Sequence, residues 1–112
     1  MEPSYVYQAI VKSIYDGDTI RVDIDCGFNV WQKNVPVRLK GINAPEVTGA
    51  ERVQGLASRD WLITKIPVGT HIMLKTERNT QEKYGRWLGT IYLNDTNLNE
   101  LMITEGFAKP YM

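Results

Sequence analysis

With one cysteine in 112 residues, Cys26, the chain cannot close a disulfide within itself, and cysteine usage points to no redox compartment. A surplus of charge is also missing: thirteen basic and thirteen acidic residues cancel. That excludes the broad basic field with which many nucleic-acid binders hold a phosphate backbone. Any phosphate recognition must come from local placement of charge. No apolar run approaches the ~18 residues of a membrane span. The N-terminal Met-Glu-Pro-Ser-Tyr has neither the basic region nor the apolar core of a signal peptide. By default the chain is expected inside the cell and off the membrane, with no obligate protein partner indicated. The lone histidine, His71, falls in a strand-like segment and is assigned no chemistry.

What is present is ordinary for a small globular domain, 43% hydrophobic and 23% charged. The length allows one core and not two, so residues 1–112 read as a single domain. Tyr5 to Tyr15 is rich in Tyr, Val and Ile and reads as a strand. Asp16-Gly17 then signals a tight turn, on the ground that glycine accepts positive φ without a Cβ clash. Past the turn, Ile20, Val22 and Ile24 share one parity with Asp18, while Thr19, Arg21, Asp23 and Asp25 take the other. A carboxylate of inward parity at the end of a strand belongs at the mouth of a barrel. Cys26 to Asn29 is a turn, and Val30 to Gly41 a third strand in which Pro36 marks an edge or a bulge. Asn43 to Ala50 is a loop. Glu51 to Ile66 is helical by the spacing of Val53, Leu56, Ala57 and Trp61, widened by Leu62, Ile63 and Ile66; Gly55 weakens it and Pro67 ends it. Thr70 to Thr76 is a fourth strand, Glu77 to Arg86 a mobile loop, and Trp87 to Leu93 a fifth strand. Leu98 to Glu105 is a short helix, capped by Asn97 with Glu100 three residues on, and Gly106 is its C′ residue. Phe107 to Met112 is a tail. Five strands, one helix between the third and fourth, and a short helix after the fifth make a mainly β, α+β domain. They fit a small closed barrel of the OB type.

Three stretches carry candidate chemistry. The first is Tyr15-Asp16-Gly17-Asp18-Thr19-Ile20. In the second, Val37 to Glu46, the alternation of Val35, Val37 and Leu39 with Pro36, Arg38 and Lys40 puts Arg38 on a stiff strand. Glu46 follows in the loop just beyond. The two can face one small volume. A phosphate there would match the fork of Arg38, and Glu46 could accept a proton from an attacking water. Taken alone, this stretch is better read as an exposed ion pair worth little. The third stretch is Glu82-Lys83-Tyr84-Gly85-Arg86.

In that order the three stretches resemble the staphylococcal nuclease (thermonuclease-like) family, and the resemblance runs from about Val11 to about Lys109. It implies the OB-fold barrel, usually with a third helix at the C-terminus that this sequence ends too early to hold. It implies a calcium-dependent nuclease that hydrolyses phosphodiester bonds of DNA and/or RNA with little sequence specificity and leaves 3′-phosphate products. Asp18, Asn43 and the main-chain carbonyl of Ala44 match the family's Ca²⁺ ligands, and oxygen donors suit that hard cation. Asn43 is an amide where the nuclease has a carboxylate, so weaker Ca²⁺ binding is expected; a turn role also suits it. Arg38 and Arg86 match the arginines that neutralise the phosphoryl oxygens, and Glu46 matches the general base. Lys83 and Tyr84 match residues that contact the nucleotide phosphate. Tyr111 lies near where the family sets a tyrosine against the base. Stacking on aromatic rings tolerates any base, which points to single-stranded DNA or RNA as substrate. The alternative is a catalytically weak or inactive OB-fold binding module. Such a module would be expected to have lost Arg38, Glu46 or Arg86, and all three are present.

Overall fold

A computed structural model describes residues 4–81 and 85–111. Strands β1 (Val6–Asp16) and β2 (Thr19–Asp25) form an antiparallel hairpin. Strand β3 (Trp31–Leu39) pairs antiparallel with β2. A short β4 (Ile42–Asn43) and a 3-10 turn over Gly49–Glu51 lead into helix α1 (Arg52–Lys65). Strand β5 (His71–Gln81) returns to pair with β1, and β6 (Trp87–Leu93) pairs with β5. The chain finishes with β7 (Thr96–Asn97), helix α2 (Leu98–Thr104) and β8 (Lys109–Pro110).

The sheet closes because β3 also pairs with β6, in parallel, with Val37 opposite Trp87 and Leu39 opposite Gly89. Strands β1, β2, β3, β5 and β6 therefore make the five-stranded barrel, and closure removes the free edges an open sheet would leave. Its interior is filled by side chains of inward parity, Val11, Ile20, Val22, Val37, Leu74 and Ile91 among them, all fully buried. The filling is tight enough that a Cβ on Gly89 would stand 2.7 Å from Leu74 Cδ1 and 2.9 Å from Val37 Cγ1. Leu62 and Ile66, at the end of α1, and Leu98 and Met102 of α2 join the same core. Each such side chain contributes about 1.5–3 kcal/mol, against about 0–1 kcal/mol for an exposed ion pair. Burial, not surface charge, therefore holds the barrel closed. Among the described residues no helix is long and apolar enough to cross a membrane.

The fifth strand, the Asn97 cap and the left-handed Gly106 stand where the sequence puts them: Asn97 accepts from Glu100 N–H at 3.0 Å, and Gly106 has φ 83°. Four expectations need correction. Helix α1 buries Gly55, Ser58 and Leu62, not the stripe of Val53, Leu56, Ala57 and Trp61; Val53 is 79% exposed. The helix lies close against the backbone of Glu46 and Val47, where only small residues fit. A Cβ on Gly55 would stand 1.9 Å from the Glu46 carbonyl oxygen. Apolar periodicity follows the large side chains: it finds Leu62 and Ile66, which join the core, and overlooks Gly55 and Ser58. Gly17 stands outside the left-handed region; what it supplies is room, because a Cβ there would meet Ala44 Cβ at 2.8 Å. The polar segment expected as a loop from Glu77 continues β5 as far as Gln81, opposite Trp87, and Glu77 pairs with Lys40. Backbone pairing makes that strand, and a run of polar residues hides it. Finally, the tail is tied down: β8 pairs with β4, and Phe107 stacks on Trp61 with centroids 5.4 Å apart.

Candidate active site

The site begins with the β1–β2 turn. Strand β1 carries register irregularities between Val11 and Ser13 and between Ile14 and Asp16. Such bulges sharpen the local twist and re-aim side chains. The second leaves Tyr15 61% exposed while its neighbour Asp16 is only 6% exposed. Asp18, across Gly17, is equally buried. Two carboxylates thus stand side by side at one end of the barrel. The Asp18 N–H donates to Asp16 Oδ1 at 3.1 Å. Asp18 Oδ1 accepts from Thr19 Oγ1 at 3.2 Å, and Asp18 Oδ2 accepts from the Ala44 N–H at 2.9 Å.

Arg38 is aimed from β3 into the same end. Its Nη1 donates to the carbonyls of Leu39 (3.1 Å) and Ile42 (3.0 Å) and lies 3.4 Å from Asp18 Oδ2. All these polar contacts run through one terminal nitrogen of the guanidinium, so the other edge of the fork is the one a phosphate could meet. Among the described residues Asp16 has no such cation against it. Burial, then its hydrogen bond to Asp18 and the Asp18 charge, push its carboxyl up to about 7 from an ordinary 3.8, with Glu46 adding in the same direction.

A cleft of about 610 Å³ opens over these groups. Asp16, Asp18 and Glu46 supply carboxylates to its walls, Arg38 and Arg86 guanidiniums, and Asn43 an amide; Tyr15 and Tyr111 flank them. Arg86 Nη1 donates to Thr19 Oγ1 at 2.9 Å. The Tyr111 ring stacks 5.5 Å from the Arg38 guanidinium carbon. Glu46 is exposed at the cleft, in the loop that α1 packs against.

Tertiary contacts hold these parts in place. Buried Asn99 of α2 accepts from the Ile91 N–H and donates to the carbonyls of Lys40 (2.9 Å) and Gly89 (3.1 Å). It thereby ties the turn after Arg38 to β6. Ser58 donates to the Phe107 carbonyl at 2.6 Å, and the Tyr111 N–H donates to the Gly41 carbonyl at 2.9 Å. The tail is thus strapped across α1 and the same turn, which puts Tyr111 over Arg38.

Of the residues singled out in the sequence, the fold brings Asp18, Arg38, Asn43, Glu46, Arg86 and Tyr111 to one cleft. Ala44 lines the neighbouring cleft and reaches this one through its N–H on Asp18. Lys83 and Tyr84 lie outside the described residues. Asp16 and Tyr15 also line the cleft, where the sequence pattern shows only a turn and a strand end. The available signal was the pair of aspartates bracketing a single glycine. Among the described residues no group of three or more His, Cys, Asp or Glu side chains is placed to hold a metal ion by itself. A cation here would therefore need the Asn43 amide or a main-chain carbonyl as well.

Comparison with known proteins gives consistent relatives. The family model described as staphylococcal nuclease homologue matches residues 36–112. The chain is 30% identical over 103 residues to a thermonuclease of Staphylococcus intermedius, covering 89% of this chain and 57% of that protein. It is 27% identical over 114 residues to endonuclease YhcR of Bacillus subtilis (strain 168), covering 94% of this chain and 9% of that protein. The chain thus spans a little over half of the first relative and a small part of the second.

Proposed function

This chain belongs to the staphylococcal nuclease homologue family, and from that premise we propose that it is a calcium-dependent phosphodiesterase. Its substrates are single strands of DNA and/or RNA, cut with little sequence preference to leave 3′-phosphate ends. The observation that carries this reading is the convergence of Arg38, Glu46 and Arg86 on one cleft beside two buried carboxylates. A surface ion pair would not need that arrangement.

The donor set fits a hard cation. Asp16 and Asp18 are buried together, Arg38 lies against Asp18 alone, and burial with the neighbouring Asp18 charge holds the Asp16 carboxyl up. Asn43 lines the cleft with a further oxygen donor, and the family resemblance adds the main-chain carbonyl of Ala44. When bound, Ca²⁺ supplies positive charge against the phosphoryl oxygens. With an amide at Asn43, the charge that holds it comes from Asp16 and Asp18.

The remaining steps belong to side chains of this chain. Arg38 and Arg86 donate to the phosphoryl oxygens, and their hydrogen bonds strengthen as charge accumulates there in the transition state. The bonds from Arg38 to the Leu39 and Ile42 carbonyls fix its fork before substrate arrives, so little reorganisation is needed. Glu46, exposed at the cleft, orients an attacking water and takes its proton. Tyr111 offers an aromatic face beside Arg38 for a base, which any base can use.

The test is cleavage of end-labelled single-stranded DNA and RNA with Ca²⁺, with a chelator, and with Glu46→Gln and Arg86→Ala variants. Cleavage is expected only with Ca²⁺, and each variant should slow it by about 10² or more, as when one transition-state donor or base is removed. Variants that cut as fast as the parent protein, or strands bound and never cut, would overturn the reading.

A further inference from the structure

A second cleft, of about 460 Å³, lies beside the first, and the two share Tyr15 and Arg86 as a common wall. It sits on the outside of the barrel, where Ser13, Arg21 and Pro36 are register partners on β1, β2 and β3. Its described lining has two guanidiniums, Arg21 and Arg86, three hydroxyls, Ser13, Tyr15 and Thr19, and no carboxylate. The first cleft carries three carboxylates against two guanidiniums. Among the described residues, then, Arg21 adds a guanidinium on a wall without a carboxylate, next to the proposed phosphate site.

Two details give that wall a shape. Arg21 is exposed, and its Nη1 donates to the Asn34 carbonyl at 3.0 Å, which orients the side chain along the outer wall. Tyr15 is the residue that the second β1 bulge turns outward, and it stays 61% exposed. An aromatic ring held so far out adds little to the core. Its place on the wall between the clefts gives it a face that a base could stack against.

We propose that the second cleft is the subsite for the nucleotide next to the scissile phosphate, on the side away from Tyr111. Arg21 binds the flanking phosphate and Tyr15 stacks on the base. This rests on the nuclease reading of the first cleft and extends it to the substrate class: strands of several nucleotides, gripped on both sides of the cut. Phosphate contacts and ring stacking read no sequence, so the subsite lengthens the grip without adding specificity.

The experiment measures anisotropy of labelled hexathymidylate and dithymidylate across a salt series, in chelator so that nothing is cut. Arg21→Ala should weaken the hexamer about tenfold and lower the slope of log affinity against log salt by about 0.7, the single-strand value for one lost phosphate contact. Arg21→Lys should keep the slope, which loss of a merely structural arginine would not explain. Tyr15→Ala should weaken the hexamer about tenfold with the slope unchanged, as lost stacking does. Both Ala variants should cost the dimer less than the hexamer. Hexamer affinities and slopes equal to the parent protein's would overturn the subsite even if the protein cuts well. Normal subsite effects in a protein that never cuts with Ca²⁺ would instead keep the strand subsite and overturn the nuclease reading.

Discussion

Gly55→Ala reverses an ordinary rule. In the interior of a helix, alanine is more favourable than glycine by about 0.5–1 kcal/mol, because glycine loses more backbone freedom on folding. Here the added Cβ would stand 1.9 Å from the Glu46 carbonyl oxygen, 2.4 Å from its carbon and 2.8 Å from the Val47 nitrogen. The first of these is about 1.1 Å inside the 3.0 Å below which a Cβ does not sit. The obstacles are backbone atoms, so no side-chain rotation relieves them; α1 must back away from the Glu46 loop. Overpacking of this kind costs about 3 kcal/mol, which outweighs the propensity gain and leaves a net loss of about 2 kcal/mol. For a domain near 100 residues that lowers Tm by roughly 8–16 °C. Thermal unfolding followed by circular dichroism, with Gln54→Ala as an exposed control on the same helix, would measure it. The control should stay within about 0.5 kcal/mol of the parent protein. Because the moved loop carries Glu46, kcat should also fall at temperatures where the variant remains folded. A Gly55→Ala protein with a Tm equal to or above the parent's would refute both the packing argument and its account of how Glu46 is held.

Three further outcomes follow from the site and its supports. Asp16→Asn keeps an acceptor for the Asp18 N–H and removes a buried charge; in chelator at pH 8 it should be more stable than the parent, by ~1–2 kcal/mol once solvent screening through the cleft is allowed for. Because the Asp16 carboxyl is raised to about 7 from 3.8, that advantage should be absent below 3.8, grow as pH rises from there to about 7 and level off above it, and urea unfolding at pH 4 and 8 would check it. Asn43→Asp should tighten Ca²⁺ binding by about tenfold through the added charge, read as a leftward shift in the Ca²⁺ dependence of cleavage. Asp23 has the opposite linkage: the Asn34 N–H, then Lys33 and Lys12, hold its carboxyl below 3.8, so it stabilises the fold above that value and the benefit goes as pH falls further. Asp23→Ala should therefore be less stable than the parent at pH 7, with the difference narrowing in acid denaturation below pH 3.8.

Much of this molecule was legible before any coordinates. Strands β2, β3 and β5 announced themselves through period-two alternation, as in Ile20, Val22 and Ile24, because burial on one face of a pleated strand leaves a mark at every second residue. Asn97 and Gly106 marked the bounds of α2 because capping and left-handed φ are local requirements met by particular residues. Arg38, Glu46 and Arg86 could be singled out by their place in short ordered stretches. Other features depended on contacts between distant segments, which no local pattern records. Gly55 and Gly17 are set by what lies opposite them, Glu46 in one case and Ala44 in the other. The continuation of β5 to Gln81 depends on a partner strand and not on the polarity of its own residues. Tyr111 meets Arg38 because β8 crosses to β4, and Asp16 becomes a perturbed acid because the barrel's end closes around it beside Asp18. The sequence by itself determined which residues could do chemistry and which elements would carry them. Only the tertiary structure decided how close those residues stand and how much water is left between them, because both follow from packing between segments far apart in the chain.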